Sequence, residues 1–209
     1  MGGQKRPPSF PLPIPSPQGE GGLELFMKRI LLEGPAVEPV LLAEAKAHLR
    51  LESDDEDDLV GALLAAARVA VESDIRRVLI EQTWRAFVDL WPEDGLTLPI
   101  VPALGVEAVR AIDADGVATL LAAEDYAFDA ADGTVRLIHA QAGAVEYEID
   151  FTAGYGTSGV DVPQPLRLAI RLLATHWYEH RSAVSDESAE ATPLGYRELI
   201  APYRRMMLC

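Results

Sequence analysis

The sequence predicts an α+β protein in which helices from both ends of the chain form a core and a small antiparallel β unit is inserted between them. Three changes of periodicity indicate this order: a helical period in the first part, alternation of apolar and polar residues in the middle, and a helical period again near the end. The expected divisions are a tail over 1–26, N-terminal helices over 27–78, the β unit over 79–152, and C-terminal helices with a terminal segment over 153–209.

Residues 1–26 differ in composition from the rest of the chain. They hold six of its 15 prolines, followed by Gly19, Gly21 and Gly22. Proline at this density prevents a helix and interrupts the apolar core that a signal peptide needs. We expect a disordered Pro/Gly-rich tail, or sequence upstream of a true start at Met27. A Pro-rich ligand for a partner is the alternative, although no clear recognition pattern is present.

Two helices are expected to open the folded part. Leu41–Arg50 is rich in strong helix formers. A second helix is expected to start at Ser53, because Ser53 and Glu56 have the spacing of a capping box and the acids at 54–58 complement the helix dipole. The same acids do not fit a calcium loop, which needs glycine at its sixth position and glutamate at its twelfth, where this chain has leucine and alanine.

The β unit is predicted from alternating patterns and turn signals. Asp115-Gly116 and Asp132-Gly133 favour tight turns between strands. The predicted strands are Thr83–Leu90, Leu96–Ile100, Val106–Ile112, Val117–Leu121, Thr134–Ile138 and Val145–Phe151.

A long third helix is predicted over Pro163–His180, since proline favours the first turn of a helix. An exposed loop over 182–191 and a short helix from Leu194 to Arg205 are expected to follow. The apolar stripe of the third helix comprises Leu166, Ile170, Leu173 and Trp177.

Three glycines spell G-x-G-x-x-G between a predicted strand and the third helix: Gly154, Gly156 and Gly159. A dinucleotide site requires the helix to begin directly at these glycines, so that its free N–H groups reach the pyrophosphate. Here residues 160–165 intervene. We therefore expect a loop that passes the chain from strand to helix, and no cofactor.

His176 and His180 lie one helical turn apart and could contact one metal ion. Zinc needs further ligands, and no other histidine has a spacing that supplies one. A small metal-dependent hydrolase that uses His176 and His180 is the alternative function. No serine elbow, phosphate loop or catalytic acid pair stands out, so we expect a binding protein and not an enzyme.

The charge of the chain limits its partners. Its 209 residues include 18 Lys plus Arg and 33 Asp plus Glu, which gives a formal net charge of −15. Such a surface repels phosphate backbones, so we expect no specific binding of nucleic acid. Cys209 is the only cysteine, which suits a reducing cytoplasm. No apolar run approaches the length of a membrane span, so we expect no membrane partner.

Several stretches taken in order carry a resemblance to a known family. They are Glu38–Arg50 (EPVLLAEAKAHLR), Asp54–Val60 (DDEDDLV), Gln82–Trp84 (QTW), Ala153–Gly156 (AGYG), Val162–Leu166 (VPQPL), His176–Arg181 (HWYEHR) and Pro202–Arg204 (PYR). Together they resemble the head–tail connector proteins of tailed bacteriophages, also called adaptor or head-completion proteins, which have relatives in prophages and gene transfer agents.

The resemblance implies a helical connector core and a structural, non-enzymatic role in a virion. It implies a ring of twelve copies between the portal and a tail-side connector or stopper protein, with DNA passing through the channel of the ring. It also implies assembly in the bacterial cytoplasm, followed by residence in the neck of the phage-like particle.

The end of the chain is the expected docking segment for the portal. It is basic and apolar in an otherwise acidic protein, and Tyr, Arg and Met are favoured at the centres of interfaces. An ordinary frayed terminus is the alternative. The expected interface residues are Tyr203, Arg204, Arg205, Met206, Met207 and Leu208.

Overall fold

The computed structural model describes residues 27–139, 141–180 and 193–205. Within these ranges the chain forms an α+β arrangement with four α-helices and antiparallel sheets, the class that the sequence predicts. The helices are α1 Leu42–Leu49, α2 Asp57–Ile75, α3 Gln164–Glu179 and α4 Tyr196–Ile200. The strands are β1 Lys28–Glu33, β2 Gln82–Val88, β3 Leu96–Thr97, β4 Ala103–Asp113, β5 Ala118–Leu120, β6 Tyr126–Asp129, β7 Thr134–Leu137 and β8 Ala144–Ala153.

The strands form two sheets that share one apolar core. The larger sheet has the order β1-β2-β8-β4-β5 and the smaller one has the order β3-β7-β6. Alternate side chains of the central strand β8, among them Ile149 and Phe151, are fully buried in this core together with Leu96 and Val135 of the smaller sheet. The opposite face of β8 carries polar residues, as the period of two in a strand requires.

The helices pack around a second apolar core. In α3 the predicted stripe is buried at Leu166, Ile170 and Leu173, and Trp177 packs at its edge. The facing side of α2 includes Ala67, whose small side chain allows the helices to approach closely. Each fully buried leucine or isoleucine contributes about 1.5–3 kcal/mol to folding.

The expectation that helices open the folded part is wrong, because β1 precedes α1 and pairs with β2. All six residues of β1 are exposed, and its sequence KRILLE has three apolar residues in a row. A strand without a buried face leaves no alternation in the sequence, so its pattern did not identify it. The four residues of β6 were likewise missed, since so short a strand has too few periods to detect.

The second helix begins at Asp57 and not at Ser53. The Ser53 hydroxyl accepts the Asp55 backbone N–H at 3.2 Å, so it closes a local turn and not a capping box. The Glu56 carboxylate accepts a hydrogen bond from the Tyr178 hydroxyl of α3. The acidic segment is held in this position by Lys46 of α1, which forms an ion pair with Asp57 at 2.7 Å.

The predicted terminal helix is also shorter than expected. It ends at Ile200, where a 3-10 turn over Ala201–Tyr203 begins. Pro202 lies inside that turn and lacks the N–H that a continued α-helix would need. The loop expected over 182–191 lies outside the described residues.

The glycines of the G-x-G-x-x-G stretch lie where the two cores meet. We call this contact, between Leu79–Glu81 and Ala153–Gly156, the glycine junction. Two backbone hydrogen bonds close it, from Tyr155 N–H to Leu79 C=O and from Glu81 N–H to Gly156 C=O, each 2.9 Å long. The stretch is therefore a strand-to-helix loop that joins the β unit to the helices, as expected.

Only glycine fits two positions of this junction. Gly154 has φ +145° and Gly156 has φ +157°, values that side-chain-bearing residues rarely adopt. A Cβ atom on Gly154 would lie 2.6 Å from the Glu81 backbone nitrogen, and one on Gly156 would lie 2.5 Å from the Asp161 carboxylate. Gly154 thus permits close backbone contact, and Gly156 leaves room for the Asp161 carboxylate; both are structural uses of the motif.

We expect Gly154→Ala to lower the free energy of unfolding by about 2–4 kcal/mol, because the new methyl group meets backbone atoms and the φ angle becomes strained. Urea denaturation measures the change. Gly61→Ala is the matched control, since Gly61 lies in α2 with nothing within 4 Å of its added Cβ. It should stabilise the protein slightly. Equal stability of the two variants would contradict the role of the junction.

Candidate interaction surfaces

The C-terminal segment is tied to the body of the protein. The Arg77 guanidinium donates to the Tyr203 carbonyl at 2.8 Å, and the Arg205 N–H donates to the Ile75 carbonyl at 3.1 Å. The Arg205 guanidinium also reaches the Pro99 carbonyl at 3.3 Å, and the Tyr203 side chain packs on the helical core. Three residues expected to dock on the portal are therefore ordered, and two of them also hold the fold.

Arg204 is the exposed member of this group, and no ion pair holds its side chain among the described residues. Met206, Met207 and Leu208 lie outside the described residues. The segment leaves the protein beside the C-terminal end of α2 and the Pro99 loop, close to the glycine junction.

Helix α4 lies directly before this segment in the chain and is itself held against the helical core. The buried Tyr196 donates its hydroxyl to the Asp74 carboxylate at 2.8 Å. Burial and the neighbouring Asp74 carboxylate both raise the pKa of Tyr196, so the phenol stays protonated. Ile200 of α4 is fully buried in the helical core. The five-residue helix therefore has two anchors, one polar and one apolar.

The polar face of the larger sheet carries a charged network centred on Asp150. Arg85 of β2 contacts Asp150 through two hydrogen bonds of 2.5 and 2.8 Å, and Arg110 of β4 adds one of 2.7 Å. Glu148 on the same strand lies 3.3 Å from Arg85. Burial by itself raises the pKa of the Asp150 carboxyl, but the hydrogen bonds from both arginines outweigh it and hold the pKa below its usual value. This face is therefore neutral over its centre, unlike the acidic chain as a whole.

A second buried ion pair joins the helices. Arg167 of α3 is 8% exposed and reaches both carboxylate oxygens of Glu44 in α1 at 2.8 Å. Its Nε also donates to the Pro39 carbonyl at 3.0 Å. Arg167 is a charged residue within the helical periodicity of α3. Its spacing in the sequence does not indicate that it joins α3 to Glu44 of α1 and to Pro39. It is structural, since its donors are used within the protein.

The histidine pair does not form a metal centre among the described residues. The rings of His176 and His180 lie 4.4 Å apart, and His180 Nδ1 contacts the backbone carbonyl of His176 at 2.8 Å. Within the described part of the chain, no three histidine, cysteine or acidic side chains are grouped closely enough to hold an ion. The geometry gives the metal-hydrolase alternative no support.

One surface cleft was not indicated by the sequence. It has a volume of about 380 Å³ and lies between the β2–β3 connection and the ends of β7 and β8. Trp91 and Tyr147 meet there edge to face with ring centroids 5.1 Å apart, and Asp89 and Glu93 are among its lining residues. It brings together no nucleophile, base and oxyanion donors of the kind that catalysis needs.

No helix in the described ranges is both long enough and apolar enough to cross a membrane.

Three surfaces of the described chain are available for contact. They are the C-terminal segment, the neutral face of the larger sheet and the exposed strands at the sheet edges. These are features of a protein that binds other macromolecules.

Comparison with solved structures identifies similar proteins from one kind of particle. The chain is 33% identical to a protein in the neck of an empty gene transfer agent particle computed with C6 symmetry, with a TM-score of 0.68 over 86% of this chain and 97% of that one. It is 33% identical to a protein in the neck of the native particle computed with C12 symmetry, with a TM-score of 0.65 over the same shares. In the virion of a native gene transfer agent particle, the similar chain is 30% identical, with a TM-score of 0.71 over 87% of this chain and 97% of that one.

No curated protein sequence matches the chain. A family model does match, over residues 40–204, which include all four helices and every strand except β1. The matched range also contains the glycine junction, the anchored residue Tyr203 and the exposed Arg204. Because this model spans most of the sequence and both cores, the chain belongs to the head completion protein family.

Proposed function

We propose that this protein is a head–tail connector subunit that forms a ring at the neck of a phage-like particle, between the portal and the tail. The observation that carries the proposal is the match to two proteins in the necks of gene transfer agent particles. Each is 33% identical to this chain, and 97% of its length is covered. Likeness of this extent includes both apolar cores and the junction between them. We propose a structural, non-enzymatic role, which the neck location of the similar proteins supports.

We propose a ring of twelve copies that forms in the bacterial cytoplasm and then remains in the particle neck. Neck structures with C12 and C6 symmetry, both compatible with twelve-fold arrangement, support this number. A ring requires two different surfaces on each copy that contact head to tail. The helices over 27–78 and 153–209 form the connector core, the β unit over 79–152 adds the sheet surfaces, and a tail-side connector or stopper protein binds the opposite end of the ring.

The acidity of the protein suits a channel through which DNA passes without specific binding. Contacts to phosphate need cations, and this chain has a formal charge of −15. We expect that replacing channel-facing acids with lysine slows DNA delivery, which a transfer assay with assembled particles would measure. Unchanged delivery would show that the negative charge has no such role.

We propose that the portal binds the C-terminal segment Tyr203–Leu208. Arg204 is exposed on an acidic protein, and the segment begins at a fixed point because Arg77 and Ile75 hold its first residues. Because Tyr203 and Arg205 are already held, they lose little conformational entropy on binding. Charge, position and pre-organisation together favour this segment over the other exposed parts of the helical core.

The proposed function is tested by mixing the purified protein with the portal protein encoded beside it and imaging the complexes by electron microscopy. We expect a collar of additional density at the narrow end of the portal, with twelve-fold symmetry. Bare portals in the presence of folded protein would overturn the connector role and would make a zinc assay of His176 and His180 the next measurement.

Removing residues 206–209 and introducing Arg204→Glu should abolish the collar without changing the melting temperature. Neither change removes the hydrogen bond that the Tyr203 carbonyl accepts from Arg77 or those that Arg205 donates to Ile75 and Pro99. Deleting the whole segment from Tyr203 is a poorer test, since it also removes contacts to Arg77, Ile75 and Pro99. Arg197→Glu is the control, because Arg197 is exposed on α4 and carries the same charge change. A normal collar from the truncated variant would exclude the segment as the docking site.

A further inference from the structure

The larger sheet has two open edges, and both expose apolar side chains. β1 forms one edge, where Ile30, Leu31 and Leu32 are 41%, 48% and 45% exposed. β5 forms the other, where Leu120 is 65% exposed and the preceding Val117 is 58% exposed. On their outer sides neither strand has a partner among the described residues. Open edges with apolar side chains are sites at which another chain can pair.

The two edge strands run in the same direction. Each neighbouring pair in this sheet is antiparallel, and four such pairings separate β1 from β5. In a head-to-tail ring a rotation relates adjacent copies, so β1 of one copy can be brought beside β5 of the next with the same polarity. Neighbouring strands twist by about 20–25° per step, so the two edges of one sheet diverge over the four pairings between them. The contact between copies is therefore limited to the three residues of β5.

The charges at the edges distinguish the parallel from the antiparallel arrangement. β1 starts with Lys28 and Arg29 and ends with Glu33. β5 follows an acidic turn with Asp113 and Asp115, and no ion pair within the described chain neutralises Arg29 or Asp115. A parallel contact places the basic start of β1 beside this acidic turn, whereas an antiparallel contact would place Glu33 there. Complementary charge of this kind fixes orientation and register more than it adds affinity.

We propose that the ring is closed by an edge-to-edge contact in which β1 of one copy lies parallel to β5 of the next copy. The inference rests on the proposed ring and identifies which surfaces of the chain form it. The contact covers the exposed apolar side chains of both strands and gives their free backbone groups partners. It is heterologous, because the two surfaces differ, so it propagates around an axis until the ring closes.

The proposal is tested by disulfide cross-linking of the full-length protein assembled on the portal. In a Cys209→Ser background, Leu31→Cys is combined in turn with Ala118→Cys, Thr119→Cys and Leu120→Cys, so that each register of the contact is sampled. Adjacent strands lie about 4.8 Å apart, within reach of a disulfide for facing residues. We expect at least one double variant to give a ladder of covalent multimers after oxidation.

The matched control combines Leu31→Cys with Leu90→Cys, because Leu90 is 71% exposed but lies outside the sheet edges. This variant and each single-cysteine variant should give no ladder beyond the dimer. A collar on the portal without a ladder from any edge pair would overturn the edge contact and leave the connector role intact. Failure to form a collar with the unmodified protein would overturn both.

A charge exchange provides a second test that needs no cysteine. Arg29→Glu should lower the yield of collars several-fold, and adding Asp115→Arg to it should restore most of the yield. Both residues are exposed, so the melting temperature should not change. If Asp115→Arg lowers the yield further instead of restoring it, the two charges do not face each other and the proposed pairing is wrong.

Discussion

The fold depends on the close approach of two backbone segments at the glycine junction. Leu79–Glu81 leads from the helices into the β unit, and Ala153–Gly156 leads back out of it, so the chain crosses between the two cores twice at one place. Hydrogen bonds from Tyr155 to Leu79 and from Glu81 to Gly156 hold the crossings together. A side chain at Gly154 would separate them. The contact between the sheets and the helices at this point therefore requires glycine at position 154.

The residues around the junction extend this constraint to the end of the chain. Glu72 of α2 accepts the Leu79 N–H at 2.9 Å and also binds Arg68, and its burial raises the pKa of its carboxyl. Just beyond, Arg77 holds the Tyr203 carbonyl, so the last described residues are fixed to the same region. Tyr203 and Arg205 thus belong to the same hydrogen-bonded framework as the glycine junction. Rigidity of this kind is useful to a ring subunit, because small errors in each contact accumulate around the ring.

Charge is distributed unevenly over this framework. The neutral network of Arg85, Arg110, Glu148 and Asp150 covers the centre of the larger sheet. Basic residues occur at the start of β1 and at the end of the chain. The remaining surface supplies most of the net negative charge. In the proposed ring, contacts between copies can form where repulsion is weakest, and the acidic surface can face the channel. The separation of neutral, basic and acidic surfaces follows from where the charged residues lie in the fold, and not from the total net charge.

The sequence by itself determined the elements that have a buried face or a turn signal: the apolar stripe of α3, most strands of the β unit, and the loop function of Gly154 and Gly156. The sequence also contains, in a fixed order, the motifs that resemble the family, and the family model matches the chain over residues 40–204. Only the tertiary structure placed β1, whose exposed residues leave no period. It also started α2 at Asp57, because Lys46 of the preceding helix and Tyr178, 122 positions away, hold the acidic segment before it. The tertiary structure also decided which residues form the candidate surfaces. Tyr203 and Arg205 were identified by composition, but their anchoring to Arg77 and Ile75 joins residues more than 120 positions apart, and such contacts arise only when the two cores pack.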